Sequence, residues 1–261
     1  MKKLAIASAL LSAFAITGTA HAYQSEVGAS VGYVDPDHGS SGSEIGINGT
    51  YYLDPVQTRN SPLAEAALLD RASNVSAYAN FADRGQVDDN RYGVGVEYFV
   101  PGSDFYVSGE VSRDEVKRDH PLYGKEKFNT TYYGAEVGYL PAPGFLVALG
   151  LKGYDNDNDD GVDPTLRAKY VTQMNGHDVN LEAGAAFGDL DEYNLAADYY
   201  VDKTFSVGAD YYSNDVTDTD EFGVNARKFF SQQVSLEGRV GFGKAGGNDY
   251  NSFGVAAKYR F

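Results

Sequence analysis

The sequence predicts an all-β protein: a transmembrane, antiparallel, up-and-down β-barrel of about 14 strands, with roughly 12 or 16 as less favoured counts. Three observations support this class. The chain begins with a hydrophobic leader, and the remainder alternates apolar and polar residues with a period of two. After residue 22, no apolar run reaches the roughly 18 residues that a membrane helix requires. A tilted strand needs only about 9–11 residues to cross a bilayer.

The leader has the pattern of a secretory signal peptide. Two lysines precede an apolar stretch at residues 4–16, and Ala-His-Ala at 20–22 fits a small-x-small cleavage site. The expected organisation is therefore a signal peptide at 1–22 followed by a single outer-membrane β-barrel domain at 23–261.

The strands are predicted from the alternation itself. Near the start of the barrel domain, Val27, Ala29 and Val31 alternate with small or polar residues, and near the end Val255 and Ala257 do the same. Each segment is about ten residues long, as a membrane-crossing strand should be. The predicted strands lie at 25–34, 43–53, 74–83, 90–100, 104–113, 128–140, 145–154, 164–174, 178–187, 192–201, 204–213, 220–230, 234–243 and 250–261.

The connections between these strands alternate in length. Those after even strands are mostly short, whereas those after odd strands are often longer and acidic or glycine-rich, as at 35–42, 114–127, 155–163 and 214–219. Outer-membrane barrels have short turns on the periplasmic side and longer loops outside. A soluble β-sandwich also alternates, but so many strands without a helical layer would require two cores in a chain of this length.

Charge and composition exclude several classes. A formal net charge of −16 disfavours nucleic acid as a partner, because phosphate binding needs a basic surface. The chain has no cysteine, which excludes disulfides and thiolate metal sites, and no cofactor is expected. An enzyme is not expected either, since His38, His120 and His177 all fall in predicted connections, away from the arrangements that barrel hydrolases need.

Two stretches carry a family resemblance. Tyr51-Tyr52-Leu53, followed by Ser-Pro-Leu-Ala-Glu-Ala-Ala-Leu-Leu at 61–69 and Ala-Ser-Asn-Val-Ser at 72–76, resembles the outer-membrane porin family typified by the Acinetobacter water-channel porin. The leader and the aromatic C-terminus are similar as well. The resemblance implies a barrel of about 14 strands and no catalytic residues, in agreement with the strand count above.

Residues 54–73 form the one long connection on the predicted periplasmic side. Helix-forming residues predict a short helix near 62–70, with Asn60 or Ser61 as a cap and Pro62 in the first turn. The apolar side chains of this helix need a place to be buried. Either they plug the periplasmic mouth, or the helix lies on the outer rim. The candidate plug residues are Leu63, Leu68 and Leu69.

The inward-facing positions of the predicted strands carry charges of both signs. Rings of charge select permeating solutes, although paired charges can equally well cross-link the wall of a narrow barrel. The predicted pore-lining bases are Arg91, Lys152, Arg167, Lys169, Arg227, Arg239 and Lys258. The predicted pore-lining acids are Glu97, Glu110, Glu136, Glu182, Asp198, Asp210 and Glu237.

The acidic connection at 155–163 resembles a calcium loop only loosely. Its glycine and its twelfth position do not match the EF-hand spacing, so no metal site is predicted. A solvated loop is favoured over a weak divalent-cation site. The candidate ligands of such a site are Asp155, Asp157, Asp159 and Asp163.

These features predict an outer-membrane porin of a Gram-negative bacterium: a narrow passive channel for water, ions or small hydrophilic solutes, gated from the periplasmic side by 54–73. The alternative is a structural or adhesive outer-membrane barrel without significant transport. Expected partners are outer-membrane lipid and lipopolysaccharide, and the barrel assembly machinery during biogenesis. A monomer is expected.

Overall fold

The predicted strands form a closed antiparallel barrel of fourteen strands, which confirms the predicted fold class. A computed structural model describes residues 22–120 and 124–261, with the backbone alone at 119, 120 and 125. The expected signal peptide lies outside the described residues except for Ala22. The strands are β1 (Ala22–Pro36), β2 (Gly42–Gln57), β3 (Asn74–Asp83), β4 (Val87–Phe99), β5 (Phe105–His120), β6 (Gly124–Ala142), β7 (Phe145–Asn156), β8 (Asp160–Met174), β9 (His177–Ala186), β10 (Glu192–Asp202), β11 (Phe205–Asn214), β12 (Thr219–Phe229), β13 (Val234–Ala245) and β14 (Asn248–Arg260).

Each strand pairs with its neighbours in sequence, and β1 closes the ring against β14. In the closing pair, Glu26 lies opposite Arg260 and Val31 lies opposite Val255. Closure removes the unpaired strand edges, which have no water to bond inside a bilayer. Because the strand number is even, β1 begins and β14 ends at the same end of the barrel. We call this end the terminal mouth, and the opposite end the distal mouth.

The two faces of the sheet differ as the alternation predicts. Val94, Val137 and Leu149 point outward and are 60%, 62% and 66% exposed, whereas Tyr106 and Leu146 point inward and are 0% and 2% exposed. The outer wall is therefore an apolar band suited to lipid, and the polar side chains line the lumen. Among the described residues, no helix has the length and apolar character needed to cross a membrane.

Several connections expected to be long are strand instead. The loop predicted at 114–127 is mostly hairpin, since β5 continues to His120 and pairs with β6 from Gly124 onward. The loop predicted at 155–163 shrinks because β8 already begins at Asp160. Both faces of these extensions are polar, so the hydrophobic alternation that marks a strand ends before the backbone ladder does.

β2 continues to Gln57, so residues 54–57 of the connection predicted at 54–73 belong to the strand, and the chain leaves the sheet only from residue 58 to residue 73. A short 3₁₀ turn, Leu63–Glu65, continues as the helix α1, Ala66–Leu69. This agrees with the short helix predicted near 62–70. No side chain caps the turn, because Pro62 occupies the capping position and the Ser61 hydroxyl donates to the Thr58 carbonyl oxygen at 2.5 Å. The cap predicted at Asn60 or Ser61 is therefore wrong.

Candidate functional site at the terminal mouth and in the lumen

The 54–73 segment packs its apolar residues against strands on several sides of the barrel. Ala66 and Ala72 lie in a buried cluster with Tyr23 of β1 and with Tyr52 and Val56 of β2. This cluster ties one side of the helix to the first two strands.

Leu68 packs on another part of the wall. It lies against a second buried cluster that is formed by side chains from β4 to β7, and Leu69 lies next to the β6–β7 turn at Gly144. Leu63, the third candidate plug residue, is 6% exposed. The members of the second cluster are Phe99, Tyr106, Leu140 and Leu146.

Polar contacts fasten the same segment to yet other strands. The buried carboxylate of Glu65 lies 2.8 Å from Nζ of Lys169 on β8 and accepts a hydrogen bond of 2.6 Å from the Tyr200 hydroxyl on β10. The Leu63 carbonyl oxygen accepts from Nη1 of Arg260 on β14 at 2.8 Å. The Leu63 amide donates to the Lys203 carbonyl oxygen, also at 2.8 Å.

These contacts determine where the segment lies. It touches β1, β2 and β14 on one side of the ring, and also β4 to β8 and β10 around the remainder. A helix on the outer rim could contact only adjacent strands, so the contact set corresponds to a segment that spans the inside of the terminal mouth.

Each of the seven predicted lumen bases forms an ion pair. Arg167 pairs with Glu136 at 2.6 Å, and Arg227 pairs with Glu237 at 2.5 Å. Two bases meet two carboxylates each. The pairs are Arg91–Asp114, Lys152–Glu192, Arg167–Glu136, Lys169 with Glu65 and Glu182, Arg227–Glu237, Arg239 with Asp210 and Glu221, and Lys258–Glu26.

Five of these carboxylates were missed by the sequence reasoning. Asp114 fell in a predicted loop, and the others lie at strand ends or in α1 and its leading turn. The alternation along each strand could have identified two of them, because residues separated by an even number of positions lie on the same face. Glu192 therefore lies on the same face of β10 as the inward Asp198, and Glu221 lies on the same face of β12 as Arg227. The missed residues are Glu26, Glu65, Asp114, Glu192 and Glu221.

The remaining predicted acids have no basic partner. Within residues 22–120 and 124–261, Glu97, Glu110 and Asp198 form no ion pair. Glu97 accepts hydrogen bonds from Asn74 at 2.9 Å and from the Tyr106 hydroxyl at 2.5 Å. Asp198 accepts one from Asn180 at 3.1 Å. Glu97 and Glu110 both line a hollow of about 410 Å³ in the wall between β3 and β8.

The candidate divalent ligands do not converge. Asp163 is buried and accepts from the amides of Asp189 and Leu190 at 3.0 and 2.6 Å, so its carboxylate fastens the β9–β10 connection. Asp159 accepts from the Tyr154 hydroxyl at 3.0 Å. In the described part of the chain, no group of three acidic or histidine side chains is arranged to hold a metal ion.

The fold and lumen define the class. A closed barrel with an apolar outside and a charged interior is the architecture of an outer-membrane β-barrel protein. Residues 1–162 match the family described as "Putative general bacterial porin", and the chain belongs to that family. No curated protein matches the sequence.

Solved structures agree. Outer membrane protein Omp33 of Acinetobacter baumannii is 29% identical with a TM-score of 0.71, and the match covers 92% of this chain and 99% of that one. A FadL homologue of Pseudomonas aeruginosa is 9% identical with a TM-score of 0.55, over 91% of this chain and 90% of that one. The toluene transporter TodX of Pseudomonas putida is 9% identical with a TM-score of 0.51, over 92% and 89%. The last two share only the fold. The protein is therefore an outer-membrane β-barrel of the porin family.

Proposed function

We propose that this protein is a narrow passive channel for water, ions and small hydrophilic solutes, and that the 54–73 segment gates it from the periplasmic side. The single observation that carries the gating proposal is the buried bond of Glu65 to Lys169 on β8, made by a segment that also contacts β1, β2, β4 to β7, β10 and β14. A segment held from several sides obstructs the mouth as long as those bonds hold.

The short helix in this segment supports a movable gate rather than a fixed obstruction of the mouth. Only seven residues, Leu63–Leu69, are helical. A helix this short is not stable alone, so its position depends on the contacts with the wall. The segment is held mainly by side-chain contacts with the wall, whereas the barrel is held by a continuous ladder of backbone hydrogen bonds.

The test replaces residues 55–72 with Asn-Gly. The new hairpin would close on the existing bond from the Leu53 amide to the Ser73 carbonyl oxygen, which is 2.9 Å long. Single-channel conductance in planar bilayers and solute-driven swelling of liposomes should both increase. The matched control places Asn-Gly at Ser231-Gln232, in the β12–β13 turn of the same mouth, and should leave conductance unchanged.

Two results would contradict the proposal in different ways. If the shortened protein assembles and conducts no better than the parent, the segment is not a gate. If neither protein conducts ions or swells liposomes, the channel function itself is wrong, and the structural or adhesive barrel is favoured.

A further inference from the structure

The lumen has an uncompensated negative charge. Each of the seven predicted lumen bases pairs with a carboxylate; Lys169 and Arg239 face two carboxylates each, whereas Lys258 shares Glu26 with Arg260. Paired charges act on a passing ion mainly as dipoles, whereas an unpaired charge acts at full strength. The field that an ion meets in this lumen is therefore set largely by the carboxylates that lack a basic partner.

Of the three predicted lumen acids that lack a basic partner, Glu110 has the fewest hydrogen bonds. Glu97 and Asp198 each accept side-chain hydrogen bonds, which spread their charge over neighbouring groups. Glu110 accepts none within the described ranges, and its side chain is exposed to the lumen. Its charge is thus available to a solute in the channel.

The strand register explains why Glu110 stands free. Its cross-strand neighbours are Gly95 on β4 and Gly134 on β6, and neither has a side chain that could cover it or bond to it. Lys152 is next in the same row, opposite Gly134, but its ammonium group lies 2.9 Å from Glu192 on β10. Because these glycines have no side chains, they also leave room for the hollow of about 410 Å³ that Glu110 lines.

We infer that Glu110 is a selectivity-determining residue that makes this channel favour cations over anions, an inference that rests on the proposed channel function. A cation that passes the hollow gains the attraction of a free carboxylate, and an anion is repelled by it. The ion-paired residues hold the lumen wall together and contribute little to this discrimination.

The test is the reversal potential in a potassium chloride gradient across a planar bilayer. The parent should be cation-selective. In Glu110→Gln, the cation-to-anion permeability ratio should fall about seven-fold, because one charge roughly 7 Å from the ion path in water changes the occupancy of a cation and of an anion by about e-fold each, in opposite directions. Glu110→Asp keeps the charge and should keep the ratio. The double variant Arg91→Gln, Asp114→Asn removes a complete ion pair with no change of net charge, and it should also keep the ratio.

Each outcome decides the inference. Three results would overturn the role of Glu110 while the channel function stands. The parent could favour anions, Glu110→Gln could leave the permeability ratio unchanged, or Glu110→Asp could lower the ratio as much as Glu110→Gln does. If neither the parent nor any variant passes current, the proposed channel function is wrong, and the inference about ion selectivity is wrong with it. Heat-modifiable migration of each variant on gels verifies that the barrel has folded.

Discussion

The carboxylate of Glu65 lies 2.8 Å from the ammonium group of Lys169 on the barrel wall. Glu65 belongs to the longest connection at the terminal mouth among the described residues. Glu65 is 4% exposed, and its other oxygen accepts from the Tyr200 hydroxyl. A buried charge pair is costly to break on one side, because the remaining charge stays buried. Glu65 therefore joins the 54–73 segment to β8 and β10, and we propose that it is the latch of the gate.

Glu65→Gln should weaken this latch and raise the frequency of channel opening. The change removes a charge-assisted hydrogen bond worth about 1.5–3 kcal/mol, so the ratio of open to closed states should rise roughly ten-fold or more. Single-channel recording measures this ratio. Glu182→Gln is the matched control, since Glu182 also bonds Lys169, at 2.6 Å, but lies on β9. Equal effects of the two variants would show that the lumen charge, and not the latch, controls opening.

Leu68→Ala should loosen the segment without unfolding the barrel. Leu68 packs on the second cluster, and truncating a buried leucine costs about 2–5 kcal/mol, less where the side chain is only partly buried. Arg59 and Arg71 flank the helix, so trypsin cleavage at these sites should become faster in folded protein. The control is Leu53→Ala on β2, because Leu53 is 47% exposed and outward-facing. An unchanged cleavage rate in Leu68→Ala would show that this packing does not hold the segment.

Deletion of Phe261 should impair closure of the barrel. The Phe261 carbonyl oxygen accepts from the amides of Gln24 and Ser25, and its own amide donates to the Ser25 carbonyl oxygen, each at 2.9 Å. Each backbone bond contributes about 0.5–1.5 kcal/mol net. The heat-modifiable folded fraction after refolding in detergent should therefore fall.

The variant Phe261→Ala separates the backbone from the ring. It keeps all three hydrogen bonds, so it should refold in detergent as well as the parent. If its level in the outer membrane nevertheless falls, the exposed ring serves assembly in the cell. Normal refolding of the deletion variant would contradict the closure role of these bonds.

Asp163→Ala should loosen the β9–β10 connection at the distal mouth. The carboxylate accepts from the amides of Asp189 and Leu190, and without it both donors lose their partner. A hydrogen bond to a charged group contributes about 1.5–3 kcal/mol net, so hydrogen exchange of these two amides should accelerate when the carboxylate is removed. Exchange at the terminal mouth, for example at the Leu63 amide, should not change. Slow exchange at Asp189 in the variant would show that another group satisfies this amide.

Much of the fold could be predicted because its signal is local. A strand with one face toward lipid and one toward water alternates with a period of two, and this alternation predicts both the number of strands and the face of each side chain. The inward position of Arg167 and the outward position of Val137 follow from parity alone. The helix near 62–70 was predictable for the same reason, since helix propensity is a property of neighbouring residues.

The tertiary structure decided what depends on distant parts of the chain. Arg260 bonds Glu26 at 2.6 Å across 234 positions of sequence, a partnership created by closure of the ring. Strand ends beyond the lipid could not be predicted, because both faces are polar there and the alternation disappears. In the same way, the sequence by itself determined that Leu63 and Leu68 need burial, but only the closed barrel decided where, because the ring of strands forms the mouth that receives them.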